Sequence, residues 1–279
     1  MLSLDKELEQ RIQAGDIDLP VLPTVSAEVL ALSRSDAADA GSLAQLIQND
    51  QALAGHVMRM ANSAAYSPQG KIQTLQQAIA KLGMRQLGQM ALTVSVGQSV
   101  FNVDEQMQAI AQRLWRHSLA CAAWSRELAR ISRANTEVAF LCGLLHQIGK
   151  PVVLRALAQL QQQRATQCAY EEQVALIEKY HKLLGANLAL RWQLPDAVLE
   201  SIEYIDDFAG APTAGQEVMI VSAACLLAQG TLENFAGQSI DQVIASHTIF
   251  QDLNLYQDDI ANLAEKTPVV AELVSSMAV

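Results

Sequence analysis

The chain has 279 residues, of which 51% are hydrophobic and 17% charged, and its formal net charge is −10 at pH 7. This composition excludes a disordered chain, and the acidic balance argues against direct nucleic-acid binding, which needs a basic footprint. No run of ~20 apolar residues predicts a membrane-spanning helix, and the charged start at residues 1–10 lacks the apolar segment of a signal peptide. We therefore expect a cytoplasmic protein with a large buried core and no membrane partner.

Apolar residues recur at helical spacing through most of the chain, and no stretch alternates as a strand would. Capping residues and glycine or proline breaks mark the ends of the helices. The predicted helices are, in chain order, 2–14, 24–33, 42–49 with Ser42 as its cap, one from Asp50 that carries Asn62, 75–82 capped by Thr74, 84–101, 106–131, 136–146, one with Pro151 in its first turn, 171–191, one from Pro195, 216–228, and about two in a tail broken at Asn254 and Pro268. The predicted fold class is all-α.

A change in composition near Val103-Asp104-Glu105 suggests a division of the chain. We predict an N-terminal helical subdomain at 1–103 and a C-terminal helical subdomain at 104–279. The junction has no Gly, Ser or Pro, so it does not resemble a flexible linker. The two parts are therefore expected to pack tightly against each other.

The N-terminal part contains a long window without acidic residues. From Gln51 to Val103 there is no Asp or Glu, while four basic residues stand there: Arg59, Lys71, Lys81 and Arg85. One interpretation is that these helices are mostly buried and have few exposed positions. The other is that the four cations form a surface for an anionic partner.

Several short motifs occur in an order that resembles the HDOD family, over roughly residues 19–228. They are Leu22-Pro23-Thr24-Val25, the stretch 44–53, the stretch 59–66 with Asn62-Ser63, the stretch 72–83, Trp115-Arg116-His117-Ser118, the stretch 144–150 with His146-Gln147, His181, Gly185-Ala186 and Trp192-Gln193-Leu194-Pro195. Single motifs are weak, but an ordered series is specific. The resemblance implies an N-terminal helical bundle packed on a degenerate form of the HD fold, which belongs to metal-dependent HD and HD-GYP phosphohydrolases.

The resemblance also implies where a metal site has decayed. Its vestigial positions are His117, His146, Gln147, His181 and Cys225, with Gln147 in place of the aspartate of the His-Asp pair and Cys225 in place of the last aspartate. Hard divalent cations are held by anionic oxygen ligands, which this set lacks. We therefore expect no catalytic residue, no cofactor and no metal at these positions, and a divalent metal only as the less favoured case.

Two further groups allow more than one interpretation. His117 and Cys121, like Cys142 and His146, are four residues apart and share a helix face, so with Cys225 they could form a nitrogen–sulfur zinc site. Alternatively, the cysteines pack as small apolar residues and the histidines hydrogen-bond each other, a backbone carbonyl or water. Asn62 and Ser63 either satisfy a helix end or, with Arg59 nearby, form a recognition site.

The resemblance to the HDOD family thus implies a bacterial signal-transduction protein that acts by binding a signalling protein partner and is not a hydrolase. Two alternatives remain at this point. One is a phosphohydrolase of phosphodiesters or nucleotides with an atypical metal site, and the other is a small-ligand sensor that uses the vestigial pocket. Trp115 and Trp192, in apolar helical contexts, are both expected to be largely buried.

Overall fold

The computed structural model describes residues 3–34, 40–63, 66–67, 71–103, 107–164, 168–233 and 237–277. It contains no β-strand in those ranges, which confirms the all-α prediction. Its helices are α1 (Leu4–Ala14), α2 (Thr24–Arg34), α3 (Ala40–Gln48), α4 (Gln51–Ala61), α5 (Leu75–Leu82), α6 (Met84–Val100), α7 (Gln108–Ile131), α8 (Thr136–Leu145), α9 (Gly149–Arg164), α10 (Tyr170–Arg191), α11 (Asp196–Glu203), α12 (Gly215–Leu232), α13 (Ile240–Ser246), α14 (Ile249–Asp252) and α15 (Gln257–Ser276), with a 3-10 turn at Phe208–Gly210.

Local side chains explain several helix starts. The carboxylate of Asp50 accepts the backbone N–H of Leu53 at 3.0 Å, and the Thr74 hydroxyl accepts that of Gln77 at 3.1 Å. Each satisfies a donor that the first helical turn leaves unpaired. The predicted starts at these two positions are confirmed, as is the place of Pro151 in the first turn of α9.

Two predicted boundaries and the predicted number of helices in the tail are wrong. Helix α3 begins at Ala40, so Ser42 lies inside it rather than at its cap. Helix α15 continues through Pro268, and the tail holds three helices instead of two. A proline removes one backbone bond, but buried contacts of Leu263, Val270 and Leu273 keep this helix formed against its neighbours. Proline and glycine predict a turn at Ser67-Pro68-Gln69-Gly70, of which residues 68–70 lie outside the described residues.

The C-terminal part is built around α7. This helix packs most extensively against α8 and α12, and its Trp115 and Trp124 side chains are almost fully buried. The indole of Trp115 stacks at a tilt on Phe101, with 5.0 Å between the ring centroids, and donates to the carbonyl of Met277 at 3.0 Å. Trp192 is only partly buried, so the expectation of deep burial is right for Trp115 and too strong for Trp192.

The N-terminal helices α2 to α6 form a bundle around α6 and contact the C-terminal part directly. Arg155 of α9 donates to the carbonyl of Ser99 at 2.9 Å, and Gln89 of α6 donates to that of Glu137 at the same distance. Helix α1 lies on α9 and α10, where Asp5 accepts from Lys179 at 2.7 Å. The junction at 104–106 falls outside the described residues, so the division at 103/104 stays a prediction.

One apolar stretch, Thr136–Arg164, has the length and composition of a membrane span. Its most apolar 18-residue window has a mean hydropathy of 1.3, and 83% of that window is buried inside the fold. This degree of burial is what core helices show, and the turn between α8 and α9 lines the site described next.

Candidate functional site

A cavity of about 630 Å³ opens between α7, the α8–α9 turn, α10 and α12. It brings together all five positions that the resemblance implied. They come from three helices and the α8–α9 turn and are His117, His146, Gln147, His181 and Cys225. We call this the HD pocket.

A close helix–helix contact places His181 on its wall. Gly149 begins α9 so near to α10 that a Cβ atom there would lie 1.8 Å from the His181 carbonyl oxygen. The facing residue on α10 is also a glycine, Gly185. Only a residue without a side chain fits at position 149, which explains the glycine that follows the His146-Gln147 pair.

His146, at the end of α8, is fixed by hydrogen bonds on both ring nitrogens. Its Nδ1 lies 2.8 Å from the Gly143 carbonyl oxygen, and its Nε2 lies 3.4 Å from Cys225 Sγ. A carbonyl can only accept, so Nδ1 carries a proton and donates to Gly143. Burial lowers the pKa of the His146 ring, but Cys225 at Nε2 and the Gly143 carbonyl raise it above its usual value. Of the predicted alternatives, His146 thus takes the backbone carbonyl rather than a bond to His117.

Cys225 also contacts Cys121, which lies on α7, with 3.3 Å between the two sulfur atoms. The hydrogen bond from Cys121 and the nearby His146 ring hold the pKa of the Cys225 thiol well below its usual range, although burial acts in the opposite direction. Burial raises the pKa of Cys121 well above its usual range. Cys225 is therefore the more acidic thiol of the two.

Gln147 ties the α8–α9 turn to α7. Its Nε2 donates to the Leu114 carbonyl at 3.1 Å and to Ser118 Oγ at 3.2 Å, and it lies 3.1 Å from His117 Nδ1. The Leu114 carbonyl can only accept, which fixes the orientation of the amide. Gln147 therefore presents N–H donors, where a carboxylate at the same position would present metal-binding oxygens.

His117 and His181 are neutral at pH 7. Burial lowers the pKa of each ring to about 4, with Lys150 a further cause at His181. His181 Nε2 lies 3.4 Å from Glu178 Oε2, while its buried Nδ1 has no hydrogen-bond partner among the described residues. The rings of His117 and His146 lie 5.7 Å apart between centroids, and no hydrogen bond joins them among the described residues.

The donor atoms of the HD pocket do not fit a hard cation such as Mg²⁺ or Mn²⁺. The two HD positions that normally supply carboxylates hold Gln147, whose nitrogen faces the pocket residue His117, and Cys225. Hard cations need several oxygen ligands in a regular shell. A soft metal is a different case, because Cys121, His146 and Cys225 offer two sulfurs and one nitrogen, all within 4.8 Å of one another.

This group differs from the zinc ligand set that the sequence suggested. Cys121, His146 and Cys225 were part of that set, although Cys121 was not among the vestigial metal positions. Cys142 does not belong to the group in the structure, and burial raises the pKa of that thiol to about 12. The spacing of four residues between His117 and Cys121 was the signal available for Cys121, but its contact with Cys225 spans 104 residues of chain.

The N-terminal candidates separate into a structural pair and an exposed set. Asn62 donates to the carbonyl of Ile72 and accepts the N–H of the same residue, at 2.9 and 2.7 Å, and Ser63 donates to the Met60 carbonyl. These contacts support the helix-end interpretation of Asn62-Ser63. Arg59, Lys71, Lys81 and Arg85 are all exposed. Lys81 donates to Ser67 at 2.8 Å, and Arg85 lies 3.9 Å from a Glu137 oxygen.

Comparison with known proteins agrees with this architecture. The model of the HDOD domain family matches residues 19–208. An uncharacterized protein of Treponema pallidum (strain Nichols) is 24% identical over 204 residues, which cover 70% of this chain and 39% of that protein. The chain thus spans well under half the length of this relative.

Solved structures share the fold. One is a Shewanella amazonensis SB2B protein provisionally described as a metal-dependent phosphohydrolase, with a TM-score of 0.76, 21% identity and 98% of both chains covered. Another is an HDOD domain protein of unknown function from Geobacter sulfurreducens, with a TM-score of 0.70, 20% identity and 97% and 96% covered. At such identities the likeness concerns the fold.

The helical fold of this chain is one that a solved HDOD domain protein shares. The family model covers most of the chain, and the chain therefore belongs to the HDOD family.

Proposed function

We propose that this protein is a bacterial signal-transduction HDOD protein that acts by binding another protein and does not hydrolyse phosphate esters. The observation that carries this proposal is the Gln147 amide, which donates to Leu114 and faces His117. Metal-dependent hydrolysis needs a bound cation that lowers the pKa of a water molecule. In this pocket the N–H group of Gln147 lies beside His117, and the positive end of that N–H dipole repels a cation.

A hydrolysis screen tests the enzymatic half of the proposal. The purified chain is assayed against phosphodiesters and nucleotides with Mg²⁺, Mn²⁺ or Zn²⁺ added. We expect no turnover above a His117→Ala/His146→Ala double variant, which removes two metal-ligand positions. Turnover by the unaltered chain that is lost in this variant would refute the proposal.

The distribution of exposed charge supports the proposal that the protein binds another protein. Arg59, Lys71, Lys81 and Arg85 are exposed in the one long acid-free window of an acidic chain, so an acidic protein surface is the complementary partner. Exposed charges are screened over roughly 8 Å at physiological ionic strength, so capture of such a partner should weaken with salt.

Arg59→Glu/Arg85→Glu should abolish capture at unchanged thermal stability. A matched control, Lys6→Glu/Arg191→Glu, reverses two exposed cations outside the window and should retain capture.

The alternative function is a metal-dependent phosphohydrolase, and the Cys121, His146 and Cys225 group is the observation that favours it. These residues would hold zinc, which would supply a bound water of lowered pKa as the nucleophile. Co²⁺ addition tests this alternative, because cobalt–thiolate bonds give an intense near-ultraviolet absorption. That band, if present and lost in Cys225→Ser, would favour the hydrolase; its absence favours the binding protein.

A further inference from the structure

A second cavity, of about 460 Å³, lies between the N-terminal bundle and the C-terminal part. It is distinct from the HD pocket, and we call it the interface cavity. Four cationic residues from three helices line it: Lys81 of α5, Arg126 and Arg130 of α7, and Lys266 of α15. Among the described lining residues the one carboxylate is Glu127, so the cavity carries an excess of three positive charges in a protein of net charge −10.

Arg126 is the unusual member of this set. It is 9% exposed, and its guanidinium lies over the ring of Tyr66, 4.8 Å from the centroid, and near that of Phe140. Its Nη1 donates to the Tyr66 hydroxyl at 2.8 Å. Its Nε has no hydrogen-bond partner among the described residues, and the nearest carboxylate oxygen, on Glu127, is 3.8 Å away.

Arg126 shares the carboxylate of Glu127 with a second arginine, Arg130. The other carboxylate oxygen of Glu127 accepts a short hydrogen bond from Arg130, so a single carboxylate serves two guanidinium groups. A buried charge that is incompletely paired is costly, and an anion in the cavity would offset that cost. Arginine is the side chain best suited to phosphate, because its planar fork can donate two parallel hydrogen bonds.

We propose that the interface cavity binds a phosphate-bearing small molecule, with Arg126 and Lys266 as its principal contacts. The volume falls within the usual range of small-molecule sites, which is roughly 300–1,000 Å³. A bound phosphate would contact α5 of the bundle, α7 of the C-terminal part and the tail helix α15 at once. Occupancy would therefore stabilise the arrangement of these three elements. This proposal goes beyond protein binding and stands whether or not a partner docks on the exposed cations.

Isothermal titration calorimetry on the full chain tests it, with inorganic phosphate, pyrophosphate and adenosine monophosphate as probes. We expect at least one probe to bind and Lys266→Gln to weaken it about tenfold, the effect of losing one charge-assisted contact of ~1.4 kcal/mol. Lys266 is only partly buried, so this variant should fold. Arg126→Lys keeps the charge but loses the planar fork, and it should weaken binding as well.

Two controls locate the binding. Lys6→Gln/Arg191→Gln changes exposed cations outside both cavities, and Arg116→Gln changes a cation of the HD pocket; both should bind like the unaltered chain. Equal affinities for phosphate and the nucleotide would indicate recognition of the phosphate alone, and tighter nucleotide binding would add a base or sugar contact.

Absence of binding of every probe at about 10 mM in low salt would overturn the proposal, because such an affinity is weaker than that of an ordinary ligand site. Binding that Arg116→Gln weakens and Lys266→Gln leaves unchanged would also overturn it.

Discussion

The amide nitrogen of Gln147 lies 3.1 Å from the backbone carbonyl oxygen of Leu114, on the helix that also carries His117. This bond joins the α8–α9 turn to the central helix α7 across 33 residues. Here the connection is a hydrogen bond, so the pocket keeps its shape by the protein's own donors and acceptors.

Replacing Gln147 by aspartate should destabilise the protein rather than activate it. The shorter carboxylate loses the N–H donors to Leu114 and Ser118 and places a charge at a site that is 5% exposed. The loss of such a buried pairing costs about 1–3 kcal/mol. Urea unfolding measures it, with Gln76→Asp as an exposed helical control that should stay within about 0.5 kcal/mol.

In Gln147→Asp, Mn²⁺ should bind only weakly, because Cys225 still replaces the other carboxylate. Full hydrolase activity from this single change would show that one lost ligand, rather than two, separates this pocket from an enzyme.

Asn62 should matter for stability rather than for recognition. Asn62→Ala removes the acceptor of the Ile72 N–H and the donor to its carbonyl, and a buried backbone group left unpaired costs about 1–3 kcal/mol. Thermal unfolding is measured for Asn62→Ala and for the control Asn102→Ala, which changes an exposed asparagine. Only Asn62→Ala should lower the unfolding temperature. If Asn62→Ala unfolds like the unaltered protein but loses its partner, Asn62 is a recognition residue.

The two tryptophans of the family motifs should differ in their effect. Trp115→Ala should cost about 3–5 kcal/mol, because the side chain is fully packed and its indole donates to Met277. Trp192→Ala should cost clearly less, since that ring is partly exposed and its main specific contact is a bond to the Pro20 carbonyl. Denaturant unfolding of both variants checks the order, and equal losses would contradict the burial described here.

Acid should weaken the fold through His117 and His181. Burial lowers the pKa of both rings from 6.5 to about 4, so the unfolded chain takes up protons first as the pH falls. Their contribution is fully present above about pH 6.5 and decreases between pH 6.5 and 4. Histidine-resolved NMR titration should show both midpoints near 4, and midpoints at or above 6 would contradict this account of the pocket.

Much of the fold follows from the sequence, because helical periodicity and caps such as Thr74 act locally. The order of the family motifs located the pocket positions from His117 to Cys225. The failures involve long-range packing. Pro268 reads as a break, yet burial of Val270 and Leu273 continues the helix.

The interactions within both sites could not be predicted for the same reason. Gln147 reads as a lost ligand, but its role as a donor depends on Leu114, which only the fold brings near. Arg126 shares a cavity with Lys266 across more than a hundred residues of sequence. Cys121, His146 and Cys225 were grouped in advance only as one of two open interpretations. Periodicity and spacing carry no information on such pairs.

The metal content of tag-free protein, measured by elemental analysis, tests the central claim most directly. A pocket held by Gln147, His146 and Cys225 through hydrogen bonds predicts far less than one equivalent of Mn, Fe, Ni or Zn per chain. One equivalent that is lost in His146→Ala would contradict the account and establish a metal site in this HDOD protein.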